Sequence, residues 1–170
     1  MDEAKLPEPW LRGTLTDVPA VVRGVQHALE LANEDLTLWC GNLTQEQLNA
    51  RPGKVASVAF HLRHIARSLD RLLTYAEERE LDQVQVAAHW TELDGGASKE
   101  EVYAELECAL RRSKARVREL AKADFEKPRF VGQKRLPTTL GGLLVHIADH
   151  TQRHVGQAIT TAKIVTAAES

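Results

Sequence analysis

Apolar residues recur at alternating steps of three and four along long, unbroken stretches of this chain, and this spacing constrains its fold more than any other feature. One stretch carries the seam Val58, Leu62, Ile65, Leu69, Leu72 and Ala76, and another carries Val102, Leu106, Ala109, Ser113, Val117 and Leu120. Steps of this size place side chains on one face of an α-helix. No stretch with a period of two competes with the helical pattern, so the sequence predicts an all-α protein.

Start and stop signals at the ends of these stretches predict four long helices. Their expected ranges are about 17–40, 56–80, 99–123 and 139–167, with Asp17, Ser98 and either Thr138 or Thr139 as N-caps. Pro7 and Pro9 make residues 1–16 an N-terminal arm. A helix of about 25 residues is about 37 Å long, so four such rods with apolar faces are expected to pack as a four-helix bundle, spanning residues 17–170.

The connections between the predicted helices carry turn signals. Thr44 and Gln47 form a capping-box pattern that predicts one short helical turn, which Pro52 and Gly53 end. Gly95 and Gly96 close the linker that follows the second long helix. That linker and residues 124–137 are predicted to be loops.

The composition is that of an ordinary globular protein. The chain has 22 Lys plus Arg and 24 Asp plus Glu, a formal net charge of −2, whereas polyanion-binding domains are usually basic. We therefore expect no nucleic-acid partner, and we interpret the basic stripe of Arg111, Lys114, Arg118 and Lys122 as a solvated helix face. Because the chain has only 2 cysteines, no apolar leader and no run of about 18 apolar residues, we expect a cytoplasmic protein without a membrane span.

Five of the 7 histidines lie on two of the predicted helices. His61 and His64 share the second helix, and His146, His150 and His154 follow one another at steps of four on the last helix. Because a step of four turns a helix by only about 40°, the last three form one stripe. Two imidazoles at i and i+4 can bind one metal ion, and a third histidine from a facing helix completes a site with open positions. The alternative interpretation is that these histidines are ordinary core or surface residues.

The residues alone leave the third ligand open. On a helical wheel His61 lies closer to the middle of the apolar seam and His64 flanks the seam, so the wheel favours His61. The candidates for a second shell of groups that hydrogen-bond to the ligands or to a substrate are His146, Gln157, Tyr75 and, where it is not the third ligand, His61. Imidazole ligands suit zinc, nickel, copper or iron, of which we take zinc or nickel as the first candidates.

The two histidine segments, ASVAFHLRHIARSLDRLL and LLVHIADHTQRHVGQA, resemble the DinB-like superfamily of bacterial metal-binding four-helix bundles. The resemblance covers nearly the whole chain, and it implies a metal held by one histidine of the second helix and an HxxxH pair of the fourth. That pair corresponds to His150 and His154, and the family pattern on the second helix falls on His64. The resemblance therefore implies His64 as the third ligand, whereas the helical wheel favours His61, which we keep as the alternative.

The resemblance also implies a range of functions. Relatives are divalent-metal proteins, often homodimers, and some use low-molecular-weight thiols in transferase or isomerase reactions. We accordingly expect one divalent transition-metal ion and, as the first hypothesis, transfer of a low-molecular-weight thiol to an electrophilic small molecule. A metal-dependent hydrolase and a non-catalytic metal-binding or structural bundle are the alternatives. We also expect a homodimer, with Ile159, Ala162 and Val165 as surplus apolar positions on the last helix.

Other chemistries fit the sequence less well. A di-iron carboxylate bundle needs Glu-x-x-His pairs, and none occurs in the chain. The segment HIADH resembles the H-x-x-E-H pattern of some metalloproteases, but Asp149 stands in place of the glutamate base. Cys40 and Cys108 lie within helical patterns, and we interpret them as packing residues rather than nucleophiles.

Overall fold

The computed structural model describes residues 6–92 and 96–167, and within these ranges it contains four long helices. They are α1 (Ala20–Cys40), α3 (Val58–Ala76), α5 (Lys99–Glu119) and α6 (Leu140–Ala167), and two short helices, α2 (Gln45–Asn49) and α4 (Gln83–Trp90), lie between them. The predicted all-α bundle is therefore confirmed. No helix in the described ranges is long and apolar enough to cross a membrane.

Helices α2, α5 and α6 begin at residues whose side chains cap them. Capping boxes form at Thr44 with Gln47 and at Ser98 with Glu101, as the sequence predicts. At the start of α6 the hydroxyl of Thr139 accepts a hydrogen bond from the amide of Gly142, at 3.1 Å, which selects Thr139 as the cap.

The prediction that Asp17 caps the first helix is wrong. Helix α1 begins at Ala20, after Pro19 in an extended conformation. A proline disfavours helical geometry in the residue before it, so the helix cannot start as early as Asp17. The carboxylate of Asp17 instead pairs with Arg118 of α5.

The four long helices form a ring in which α1 and α3 each pack against α5 and α6. The predicted seam of α3 faces the core, where Leu62, Ile65 and Leu69 are buried. Burying a leucine or isoleucine side chain contributes about 1.5–3 kcal/mol relative to leaving it exposed, so this shared core stabilises the bundle. Leu72, at the edge of the seam, is only partly buried.

Two predicted loops contain regular structure, so their prediction as loops is wrong. Helix α4 lies in the first of them, where Asp82 and Gln85 form a capping box. The second contains an antiparallel hairpin of strands β1 (Pro128–Val131) and β2 (Leu136–Thr139). Each strand has 4 residues, too short for a period of two to stand out. The hairpin packs against α3 and α6, beside the histidine-bearing faces described below.

The residues before α1 are held against that helix. Pro9 is buried, and the guanidinium of Arg12 donates hydrogen bonds to both carboxylate oxygens of Glu34, at 2.6 and 2.7 Å. It also donates to Glu30 at 3.0 Å. Paired, charge-assisted hydrogen bonds of this kind fix geometry as well as adding stability. The division of the chain into an arm and a bundle at residue 16 stays a prediction.

Candidate metal centre

Helices α3 and α6 bring three histidines together inside the bundle. One ring nitrogen from each of His64, His150 and His154 lies within 4.8 Å of the other two. The closest pair is Nε2 of His64 and Nε2 of His150, at 2.9 Å. The step of four on α6 places its two histidines side by side, and the packing of α3 against α6 brings the third to them.

His61 lies next to this group of three, in contact with His154. Its side chain is only 5% exposed, which agrees with its position near the middle of the apolar seam. Its Nδ1 is 3.0 Å from Nδ1 of His154, so one of these two nitrogens donates a hydrogen bond to the other. A proton on Nδ1 of His154 leaves the Nε2 lone pair of that ring available to a ligand.

Glu92 is a site residue that the sequence analysis missed. This carboxylate is only 4% exposed, and it accepts hydrogen bonds from Nδ1 of His64 and from Nη1 of Arg71, each at 2.7 Å. A histidine that donates Nδ1–H to a carboxylate presents its Nε2 lone pair on the other side of the ring, which here is the side of His150. Glu92 follows α4 in a segment without periodicity, so no pattern in the sequence marks it.

Burial lowers the pKa of His150 and His154 in this centre, and of His61 beside it. Burial, followed by the neighbouring His64, lowers the pKa of His150 to about 4, and the same causes lower the pKa of His154 to about 3. Burial likewise lowers the pKa of His61 to about 4. Near neutral pH these three rings are therefore uncharged, with a proton on one ring nitrogen and a lone pair on the other, which is the state that binds a metal.

The pKa of Glu92 moves in the direction that keeps it charged. Burial alone would raise it, but the hydrogen bonds from His64 and Arg71 and the charge of Arg71 outweigh burial and lower the pKa to about 2. Near neutral pH Glu92 is thus a carboxylate. Its charge can offset part of the positive charge of a cation held by His64.

The other predicted site residues lie around this centre at different distances. His146 is exposed on α6, and its ring centroid is 5.4 Å from that of His150. Gln157 is exposed, and its side chain makes no hydrogen bond within the described ranges. Tyr75 is half-buried and lines a cavity of about 620 Å³ that also contains His64, His146 and His150. The centre is therefore reachable from a cavity large enough for a small molecule.

The two cysteines contribute no nucleophile to this centre. Cys40 is buried in α1, where burial raises the pKa of its thiol to about 11. Cys108 is half-buried in α5 and lines a different cavity, which contains none of the histidines named above. Both are outside the set of residues that surround the histidines.

A helical bundle with an interhelical histidine cluster of this kind belongs to a class of folds that build metal sites from facing helices. The chain belongs to the DinB superfamily, whose family model matches residues 28–158. The matched segment contains α3 and the part of α6 that carries its three histidines, and the resemblance expected from the sequence is confirmed. Three histidines this close together could hold a metal ion, as proteins of this superfamily do. A comparison with curated proteins gives no match.

Proposed function

We propose that this protein binds one divalent transition-metal ion, zinc or nickel, through His64, His150 and His154. The observation that carries the proposal is the approach of their three ring nitrogens to within 4.8 Å of one another, from two different helices. Two nitrogens bound to one tetrahedral ion at about 2.0–2.1 Å lie roughly 3.4 Å apart. Nε2 of His64 and Nε2 of His150 are 2.9 Å apart, and the three grouped nitrogens lie within 4.8 Å of one another, so their spacing is compatible with that value.

The donor set fits a catalytic metal better than a structural one. Structural zinc sites are usually closed by four protein ligands, whereas three protein ligands leave a position open. Such an ion acts as a Lewis acid that makes a thiol or a water molecule more acidic towards neutral pH. Arg71 and Glu92 hold His64 in place, and the cavity beside His64 and His150 provides space for an organic molecule.

On this basis we propose that the protein transfers a low-molecular-weight thiol to an electrophilic small molecule. The thiol loses its proton to solvent, its sulfur forms a bond to an electrophilic carbon, and any leaving group departs with the bonding electron pair. The residues of this chain orient the two reactants, which contributes to the rate by proximity. The hydroxyl of Tyr75 and the ring of His146, both lining the cavity, are the groups available to orient a bound molecule.

The test gives metal-loaded protein an electrophile together with glutathione, bacillithiol or mycothiol, in water enriched in ¹⁸O. Mass spectrometry then distinguishes a product with a new carbon–sulfur bond from a product that carries ¹⁸O. Thiol-dependent turnover that His154→Ala abolishes supports the transferase. Incorporation of ¹⁸O without thiol would identify a hydrolase, and absence of turnover with metal bound would favour a non-catalytic bundle.

The hydrogen bond from His64 to Glu92 predicts an effect of Glu92→Gln on metal affinity. The amide is neutral and offers its NH₂ group as well as one oxygen, so it supports His64 less well. Loss of a partner of this kind typically weakens metal binding about 10- to 100-fold. Titration against a competing chelator measures the change. Glu105→Gln is the matched control. Glu105 pairs with Arg63 and Arg67, which lie in α3 like His64, but within the described ranges it makes no hydrogen bond with that histidine. This variant should leave the metal affinity within about twofold of the wild-type value.

The lowered histidine pKa values predict that the metal is retained in mild acid. Protons compete for an imidazole only when the pH approaches its pKa, which is about 6.5 for an unperturbed histidine but about 4 for His150 and about 3 for His154. Equilibrium dialysis with metal analysis should find the ion bound at pH 5.5 and lost as the pH falls below about 4. Loss of half of the ion at or above pH 5.5 would contradict the prediction.

We also propose that the protein is a homodimer, although on different residues from those the sequence indicated. Ala162 and Val165 are buried in the core of one chain and Ile159 packs against that core, so they are not surplus positions. The neighbouring helices α1 and α6 instead expose Leu38, Trp39, Val145 and Ile164. Sedimentation velocity should give a dimer at micromolar concentration, and Ile164→Asp should shift it to a monomer. A wild-type monomer would contradict the proposal.

A further inference from the structure

The cavity beside the histidine centre has an apolar wall. Its volume is about 620 Å³, within the range of small-molecule sites, and residues of α3, α4, α6 and the hairpin line it. The apolar side chains of this wall are Leu72, Leu81, Val86, Trp90, Val131 and Leu136. The hairpin strands β1 and β2 thus close one side of a space that the long helices leave open.

The charge of this cavity is one-sided. Among the described residues that line it there is no aspartate or glutamate, whereas Arg71 and Lys134 are cationic. A second cavity of about 650 Å³, which shares five lining residues with the first, Tyr75 among them, contains Glu78 and Glu80 as well as arginines, so its charge is mixed. A cavity with an apolar wall and a single sign of charge favours a ligand of the opposite sign.

The two cations of the cavity differ in how far they are already neutralised. Arg71 donates to the buried carboxylate of Glu92 at 2.7 Å, so its charge is compensated by a group outside the cavity lining. Lys134 lies in the hairpin turn, is exposed, and makes no ion pair or hydrogen bond within the described ranges. Lys134 is therefore the uncompensated positive charge of this cavity.

Tyr75 adds a polar group whose hydrogen-bonding capacity is unused. The residue is half-buried, and its hydroxyl makes no hydrogen bond within the part of the chain that the structure describes. A phenolic hydroxyl both donates and accepts, and it usually finds a partner when it is shielded from water. A ligand in the cavity would supply that partner.

We propose that this cavity binds a small organic carboxylate with an apolar body, whose carboxylate pairs with Lys134 while its body packs against Trp90, Leu72 and Leu136. That this molecule is the substrate of the histidine centre rests on the proposed function, but its binding to the cavity does not require a metal. The hairpin turn then selects for negative charge, and the neighbouring histidines are where the bound molecule reacts.

The experiment compares 4-phenylbutyrate with its neutral amide, 4-phenylbutyramide, which has the same body and lacks the charge. Calorimetric titration of the metal-free full chain at low ionic strength should find the carboxylate bound about fivefold or more tightly than the amide. Added salt should reduce that preference, because screening weakens an exposed ion pair. Lys134→Glu should remove the preference, and Trp90→Ala should weaken both ligands alike.

Lys122→Glu is the matched control. Lys122 is also exposed, but it lies in the turn after α5 and lines none of the cavities described above. Lys122→Glu changes the net charge by the same amount as Lys134→Glu, but it does so outside the cavity. It should therefore preserve the preference for the carboxylate. Equal affinity for acid and amide, no binding of either at millimolar concentration, or equal effects of the two lysine variants would overturn the proposal.

A second portion of each protein preparation, incubated with zinc or nickel and dialysed before metal analysis, separates the two proposals. A preference for the carboxylate in a protein that takes up no zinc or nickel would leave the ligand site standing and remove the proposed metal function. Stoichiometric metal binding without a Lys134-dependent preference for the carboxylate would leave the proposed metal site standing and remove the ligand site.

Discussion

Replacing His150 or His154 by alanine is expected to reduce the metal content of the purified protein from about one ion per chain to near zero. Each variant removes one of three nitrogens that lie within 4.8 Å of one another, and no carboxylate belongs to that group of three. Loss of a group that hydrogen-bonds to a ligand weakens metal binding about 10- to 100-fold. Loss of the ligand itself should therefore lower the metal affinity by more than about 100-fold.

Metal analysis after dialysis measures this loss, with circular dichroism to establish that the variants fold. His146→Ala is the control on the same helix, since His146 is exposed and outside the group of three, although its ring lies near that of His150. It should keep its metal. One ion per chain in a protein carrying both His150→Ala and His154→Ala would mean that the site lies elsewhere.

The second large effect concerns the two histidines of α3. His64→Ala should lose the metal, because it removes the nitrogen that meets Nε2 of His150 at 2.9 Å. His61→Ala should retain it, because His61 contacts His154 through Nδ1 and is not one of the three grouped nitrogens. Histidine-to-alanine substitutions three residues apart on α3 are thus expected to have opposite effects on metal content.

His61→Ala should instead show its effect in stability. The variant removes a buried side chain and breaks the hydrogen bond with His154, so the free energy of unfolding should fall by about 1–3 kcal/mol. Denaturant unfolding of the metal-free proteins measures this change, and chelator titration measures metal affinity in parallel. A metal-free His61→Ala beside a metal-bound His64→Ala would establish His61 as the ligand.

The long helices could be predicted from the sequence because periodicity and caps agree along them. The apolar seam of α3 and the capping boxes at Thr44 and Ser98 depend only on residues a few positions apart. The hairpin was missed because its two strands are held by pairing across the turn, as Val131 pairs with Leu136, and by packing on α3. Neither effect leaves a periodic signal in strands of 4 residues.

The candidate site could be predicted only in part, for a similar reason. Helical spacing alone placed His150 and His154 side by side, and it also identified His61 as the more buried histidine of α3. Burial and ligation are different properties, however, and the group of three nitrogens includes His64 at the edge of the seam. Glu92 reaches His64 through the path of the chain after α4, which no local pattern encodes.

The hairpin between α5 and α6 places part of the cavity lining on a different element from the histidines. The two can therefore change independently of one another. The histidines lie on long helices whose packing fixes them, so changes there disturb the bundle. The turn that carries Lys134 has Gly132 and Arg135 at positive φ, and its residues lie at the surface. Exposed turns tolerate substitution and insertion. Substitutions in these few residues could therefore change the lining of the cavity while the histidine centre stays the same.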